Sequence, residues 1–285
     1  MTEFVPTEKG QTIRYPSTAQ LCIDSADRDN LATTGPFDFN ITRTYNLLNG
    51  YFTRLSATEV MVDWAEPNVQ TGVNNTFQVT ISSTAYNVTV PQGFYTVKEI
   101  LDALVVLLNA AGTGRTFSIV NTNGQVSLNV DSGTYSIGVG QLAEQLFAFS
   151  VITSSTLSKR ITEPDMRIYR YFDITSSQLT YAQDVKDSAT NRTVVDTLCR
   201  IYLAYDESPS YDAYNFPILL GYKATSFRRA FPFPKQIKWS NNLPVGNLSF
   251  QVFGNITRDG ITTNAIIPFI SFNTNWCLTL QVSEV

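Results

Sequence analysis

The chain contains no histidine. Ser-His-Asp and Cys-His nucleophile systems, the imidazole general base and the imidazole metal ligand are therefore all excluded. Cysteine is scarce, with Cys22, Cys199 and Cys277 far apart in the chain. An odd count without short spacing argues against a disulfide framework or a zinc site. Each lies in an apolar run, so each is expected as a small buried hydrophobe in a reducing compartment. Long apolar runs are missing too, and MTEFVPTEKGQ has neither a basic n-region nor an apolar h-region. No membrane contact is expected, and the chain reads as soluble and unsecreted. Six Asn-x-Ser/Thr triplets are then chance occurrences in an Asn- and Thr-rich chain.

Charge is also sparse, at 15% of residues and a net −4. Such a field does not concentrate nucleic acid or an anionic surface, so any binding of that kind must be local. The stretches RDNLATTGPFD and GTGRT lack the glycine spacing that cradles phosphate. IDSADRD, residues 23–29, is acidic like a calcium loop, but Arg28 sits among the would-be ligands and the twelfth-position glutamate is missing. It reads as a strand ending in an Asp/Ser turn. Two carboxylates could still hydrolyse a glycoside, but here they are scattered. No catalytic residue, cofactor or metal is expected, and the chain is not read as an enzyme.

What is abundant is alternation. Hydrophobic residues make up 43% of the chain, and period-2 runs bounded by Gly, Pro, Asn and Asp recur from end to end, the signature of short strands in a sandwich or barrel. Three such runs, 18–25, 36–45 and 51–64, come first. In the third, the apolar parity shifts from Leu55 and Ala57 to Val60, Val62 and Trp64. A strand that keeps one face inward across such a shift needs an extra residue, so a β-bulge is expected near Thr58 and Glu59. Five further runs, 166–174, 197–206, 231–240, 247–255 and 275–283, bring the total to eight. The fold class expected is mainly β, an eight-stranded sandwich.

Residues 66–160 have another rhythm. FQVTIS and YNVTV form one hairpin, and RTFSIVNTNGQVSLNV forms a second around Asn123-Gly124, a type I′ pair. Between them, Thr96 and Glu99 make a capping box, with Tyr95 and Ile100 placed for a hydrophobic staple. Ile100, Leu101, Leu104, Leu107 and Leu108 follow on one stripe, and Gly112 stops the helix. Ordering a helix at roughly 1–2 kcal/mol per residue offsets what five aliphatic side chains contribute, so it must pack on the flanking hairpins. GQLAEQLFAFS, 140–150, reads as a second short helix. The expected organisation is a discontinuous base, 1–65 with 161–285, and a small α+β insertion at 66–160.

The segment KATSFRRAFPFPKQIK carries Lys223, Arg228, Arg229, Lys235 and Lys238 without an acid, interleaved with phenylalanines. Such a segment can edge a protein interface, lie as a plain surface loop or, less in keeping with the charge, bind single-stranded nucleic acid. Upstream, Asp206, Glu207 and Asp212 could offer acid to a neighbouring subunit's base. Tyr169, Tyr171, Tyr205, Tyr211, Tyr214 and Trp239 could stack on sugars, or fill cores and contacts.

Several passages bear a family resemblance. IDSADRD after the first strand, VTVPQGFYTVKEILDALVVLLN, and FPKQIKWSNNLPVGNLSFQVFGNITRDG leading into NWCLTLQVSE together resemble the penton, or vertex, capsid proteins of virophages and polinton-like double-stranded DNA viruses. QLAEQLFAFS resembles a helix that ends Leu-Gly-Phe in that lineage; here Phe147 and Ala148 stand instead. The resemblance implies a single jelly roll standing upright in a homopentamer at each icosahedral five-fold vertex, with the insertion pointing outward. It also implies contact with the major capsid protein of the same virus, a virion location after assembly in the host cytoplasm or nucleus, and a possible host receptor. A viral receptor-binding or lectin-like β-sandwich is the alternative reading.

Overall fold

A computed structural model describes residues 4–6, 12–14, 18–44, 52–147, 154–162, 164–180, 185–186, 193–194, 196–203, 210–218, 225–238, 246–258, 261–268 and 274–283. Two small hairpins, β1 (Phe4–Pro6) with β2 (Thr12–Arg14) and β13 (Val185–Lys186) with β14 (Thr193–Val194), stand apart from the larger sheets.

One large sheet has the order β16-β5-β20-β3: β3 is Thr18–Asp24, β5 Arg54–Trp64, β16 Thr225–Ala230 and β20 Asn275–Ser283. β17 (Gln236–Lys238) continues the β16 side by pairing with the start of β5. The other sheet runs β15-β12-β18, with β12 at Tyr169–Thr175, β15 at Thr197–Tyr202 and β18 at Asn247–Arg258. The far side of β18 is shared: β4 (Asp38–Thr42) pairs with its first half and β19 (Ile261–Pro268) with its second. All of these pairings are antiparallel. Inward-facing residues of both sheets meet in one core, as period-2 alternation requires. Trp276, Leu278, Leu280 and Val282 of β20 lie there, opposite Phe172, Ile174, Phe250 and Val252. Phe39, Phe250 and Trp276 pack with ring centroids 5.4–5.6 Å apart. The Trp276 indole N–H donates to the Pro36 carbonyl at 2.9 Å, so the polar end of that large side chain is satisfied.

The expected bulge is present. Thr279 pairs with Glu59 and Leu280 with Ala57, leaving Thr58 as the extra residue. Its hydroxyl donates to Thr279 O at 3.1 Å and its carbonyl accepts from Phe231 N at 2.9 Å. The added residue lets Leu55 and Ala57 on one side, and Val60, Val62 and Trp64 on the other, all face the core.

Residues between β5 and β12 build a second core. β6 (Thr76–Ile81) and β7 (Thr84–Thr89) form a hairpin joined by β10 (Ser136–Ile137); β8 (Phe117–Thr122) and β9 (Gln125–Val130) form another joined by β11 (Ser158–Arg160). Helix α1 (Val97–Ala110) lies against β7 and β8, and α2 (Gln141–Phe147) against β6. The capping box is formed in both directions between Thr96 and Glu99. Val97, Ile100, Leu101, Leu104 and Leu108 are buried, Leu107 is partly buried, and Gly112 has the positive φ of 67° that follows the helix end. Asn123 and Gly124 (φ 53° and 77°) make the β8–β9 turn. The β6–β7 turn has the same backbone form but uses Ser82 and Ser83, at φ 49° and 69°, with no glycine to announce it.

Three expectations need correction. The basic segment is neither a loop nor one strand: β16 and β17 both pair with β5, and the loop between them begins where Thr58 interrupts the ladder. β19 is an additional strand without a sequence signal, because ITTNAIIP has no clean period-2 pattern. The three cysteines are not uniformly buried: Cys199 is, Cys277 is half-buried, and Cys22 is exposed. Leu21 and Ile23 face inward, so strand alternation forces Cys22 outward.

Candidate assembly surface

The expected contact residues part company in the structure. Arg228 lies on the outer face of β16, its side chain 72% exposed, and forms an ion pair with Glu59 of β5. The hydrogen bond from Arg228 holds the Glu59 carboxyl below the usual carboxylate range, and Glu59 in turn raises the guanidinium's pKa. Arg229 is half-buried on the opposite face of the same strand. Lys235 follows in the β16–β17 loop and donates to Thr197 O at 3.1 Å, tying the loop to the second sheet. Lys238 is exposed on β17, directly across from Arg54. Two like charges facing each other across a ladder repel, and no carboxylate pairs with either among the described residues. Lys223, Asp206 and Glu207, together with Tyr205 and Trp239, lie outside the described residues.

The loop carries a residue that the sequence marks only as one phenylalanine among several. Phe233 is 96% exposed, between Pro232 and Pro234. Its neighbour Phe231 packs against the core and donates its N–H to Thr58 O at 2.9 Å. With Lys235 tied at the other end and two prolines fixing φ, the ring is held out at the sheet edge on a stiff support.

Asp212 does not offer a free carboxylate to a neighbour. One oxygen accepts the backbone N–H of Lys98 in the first turn of α1 at 2.9 Å, and the other accepts from Tyr214 N and Phe216 N, each at 2.9 Å. A carboxylate there complements the helix dipole. Tyr214 reaches the same helix through Asp102 Oδ1 at 3.1 Å, and Asp102 is paired with Lys98. These contacts bind the 210–218 segment to the second core.

Among the described residues these tyrosines do not share one exposed stacking face, since of them Tyr211 alone is exposed. Tyr169 packs edge-on against Trp64 at 6.4 Å, and Tyr214 is partly buried against the second core. Tyr171 is buried between Tyr202, 5.7 Å away, and the Arg200 guanidinium, 3.9 Å from its ring centroid. Arg200 grips the buried Asp173 with two hydrogen bonds of 2.8 and 2.9 Å. Burial works against the Arg200 charge, but the hydrogen bonds and field of Asp173 outweigh it, so the guanidinium pKa is raised. The pair pins β12 to β15 and engages both oxygens of the Asp173 carboxylate. Among the described residues no three metal-binding side chains converge.

No family model and no curated protein matches the sequence. The mavirus penton protein, a solved structure, matches with a TM-score of 0.53 at 11% identity, over 95% of this chain and 100% of that one. The chain has the fold of the mavirus penton protein. A chain of the Sputnik virophage cryo-EM structure matches at a TM-score of 0.48 and 10% identity, over 94% of this chain and 97% of its own. The penton resemblance read from the sequence is met by the fold, although 11% identity leaves little of it to residue-by-residue comparison.

Proposed function

We propose that the chain is a structural capsid protein whose copies form the pentameric vertex of an icosahedral double-stranded DNA virus, in contact with the major capsid protein. The observation that carries this reading is the likeness to the mavirus penton protein over essentially both chains. Strand order supports a jelly roll. When β3, β4, β5, β12, β15, β16/β17, β18 and β20 are counted one to eight, one sheet reads 1-8-3-6 and the other 2-7-4-5. This interleaving is that of two Greek keys wound on each other. Residues 66–160 form the inserted α+β module and 1–65 with 161–285 the base; the separate second core supports an insertion there, and it also takes in Ile161 and Met166, with Tyr214 and Phe216 packed on it, from beyond residue 160. The role is structural and belongs to the virion, and no reaction is assigned.

Native mass spectrometry and negative-stain imaging of the purified protein, alone and with the major capsid protein, test the proposal. Five-membered rings in either preparation are expected. Stable trimers, or a monomer that never joins a capsid, would refute it, and strong glycan-array binding by that monomer would favour the attachment reading.

A further inference from the structure

The register of the two sheets assigns a charge to each lateral flank. On the outer face of the first sheet, Arg228 pairs with Met61, Met61 with Cys277, and Cys277 with Asp24. One cross-strand row thus begins at a cation on the β16 edge and ends at an anion on the β3 edge, with Asp27 exposed just beyond it. The second sheet repeats this polarity. Thr197, Thr175, Gln251 and the exposed Asp38 form a row, and Lys235 is bonded to the Thr197 carbonyl at its other end. The β15/β16 flank therefore collects Arg228, Arg229, Lys235 and Lys238 against the one carboxylate Glu59 that pairs with Arg228, and the β3/β4 flank Asp24, Asp27, Asp29 and Asp38 against Arg28 and Arg43, so an excess of opposite sign remains on each. Two arginines on the acidic flank are engaged locally: Arg43 lies 3.6 Å from Asp29, and Arg28 donates to the Ser25 and Thr34 carbonyls.

We propose that the basic flank of one copy docks against the acidic flank of a second copy of this chain, with Phe233 as the apolar anchor. The inference rests on the ring reading and specifies its contact surface. Contacts between different patches on identical chains close into a ring only if each step is a rotation without rise. Cation and anion lie in the same row of each sheet. Paired flanks therefore meet at equal height along the strands, as zero rise demands when the strands stand along the ring axis. Phe233, at the height of the bulge, adds a large exposed aromatic of the kind that anchors interfaces. The cross-strand repulsion of Arg54 and Lys238 is a further reason for this edge to take an acidic partner.

The test is a charge swap read by native mass spectrometry, with circular dichroism as a check on folding. Arg228→Glu with Arg229→Glu shifts the mass from ring to monomer, and so does Asp27→Lys with Asp38→Lys. All four changes in one chain restore the ring, because each reversed flank again meets its complement. Phe233→Ala, at a site too exposed to affect folding, lowers ring occupancy on its own. If the wild type forms rings and the reversals do too, or if the fourfold swap folds but does not reassemble, this surface is wrong while the ring reading stands. If the wild type forms no ring either alone or with the major capsid protein, both fall.

Discussion

Leu104 in α1 and Leu280 in β20 are both fully buried, but in different hydrophobic cores. Replacing either by alanine removes the same three carbons and costs about 3–5 kcal/mol in transfer and cavity terms. The thermal consequence differs. For a unit of under 100 residues each kcal/mol lowers the Tm by about 4–8 °C, and for one of 150–250 residues by about 2–4 °C. Leu104→Ala should therefore lower one calorimetric transition by about 12–40 °C and leave a second nearly in place. Leu280→Ala should lower that second transition by about 6–20 °C. Differential scanning calorimetry of the wild type and both variants reads this directly. A single transition moved alike by both substitutions would show that the two cores melt as one cooperative unit, and the division at residues 66–160 would be refuted.

Replacing Ser82 and Ser83 by Asn and Gly should stabilise the chain by about 0.5–1.5 kcal/mol in urea titrations, because both serines hold a left-handed backbone; no gain would mean the turn is relaxed. Asp173→Asn leaves the partly buried Arg200 guanidinium without its counter-ion and should cost about 3 kcal/mol, the low end for a broken buried pair because Arg200 retains 16% exposure. Replacing both partners, Asp173→Leu with Arg200→Met, should cost less than the single change, and a larger loss would overturn that account. The Cys277 thiol is pushed up to about 12 by burial and by the neighbouring Asp24, Asp63 and Asp27. Because the thiolate is the reactive form, only on the order of 10⁻⁴ of it is present at pH 8. Native alkylation followed by peptide mass mapping should therefore mark the exposed Cys22 well before Cys277, with reactivity at Cys277 rising toward pH 12; equal rates at pH 8 would contradict the structure.

The features legible in the sequence are those in which one physical signal acts locally. The bulge at Thr58 follows from parity alone, since Val60, Val62 and Trp64 cannot share a face with Leu55 and Ala57 without an extra residue. The capping box of α1 is four residues long and needs no tertiary information. The Ser82-Ser83 turn was hidden because serine is a poor marker of positive φ, and β16 because the basic residues Arg228 and Arg229 interrupt its alternation. The interface residues were legible only as a type: a basic aromatic segment suggested contact. That Arg228 pairs at home with Glu59, that Asp212 is bound to α1, and that Phe233 alone among its phenylalanines stands in solvent all depend on pairings across more than a hundred residues.

The bulge that joins β5 to its partners has a consequence in time. Thr58 bonds to Thr279, 221 residues later in the chain, an interval of roughly 11–44 s at ribosomal rates of about 5–20 residues per second. For most of that interval β5 has been made but its neighbours β16 and β17 have not, and β20 is missing to the end of it, so Val60, Val62 and Trp64 wait without a complete sheet. Helix α1 is spared this wait, because its own Thr96 and Glu99 cap it before Asp212 exists. The order of emergence thus favours a finished middle attached to an unfinished strand, and it is that strand, not the helix, that a nascent chain must keep from its neighbours on the same polysome.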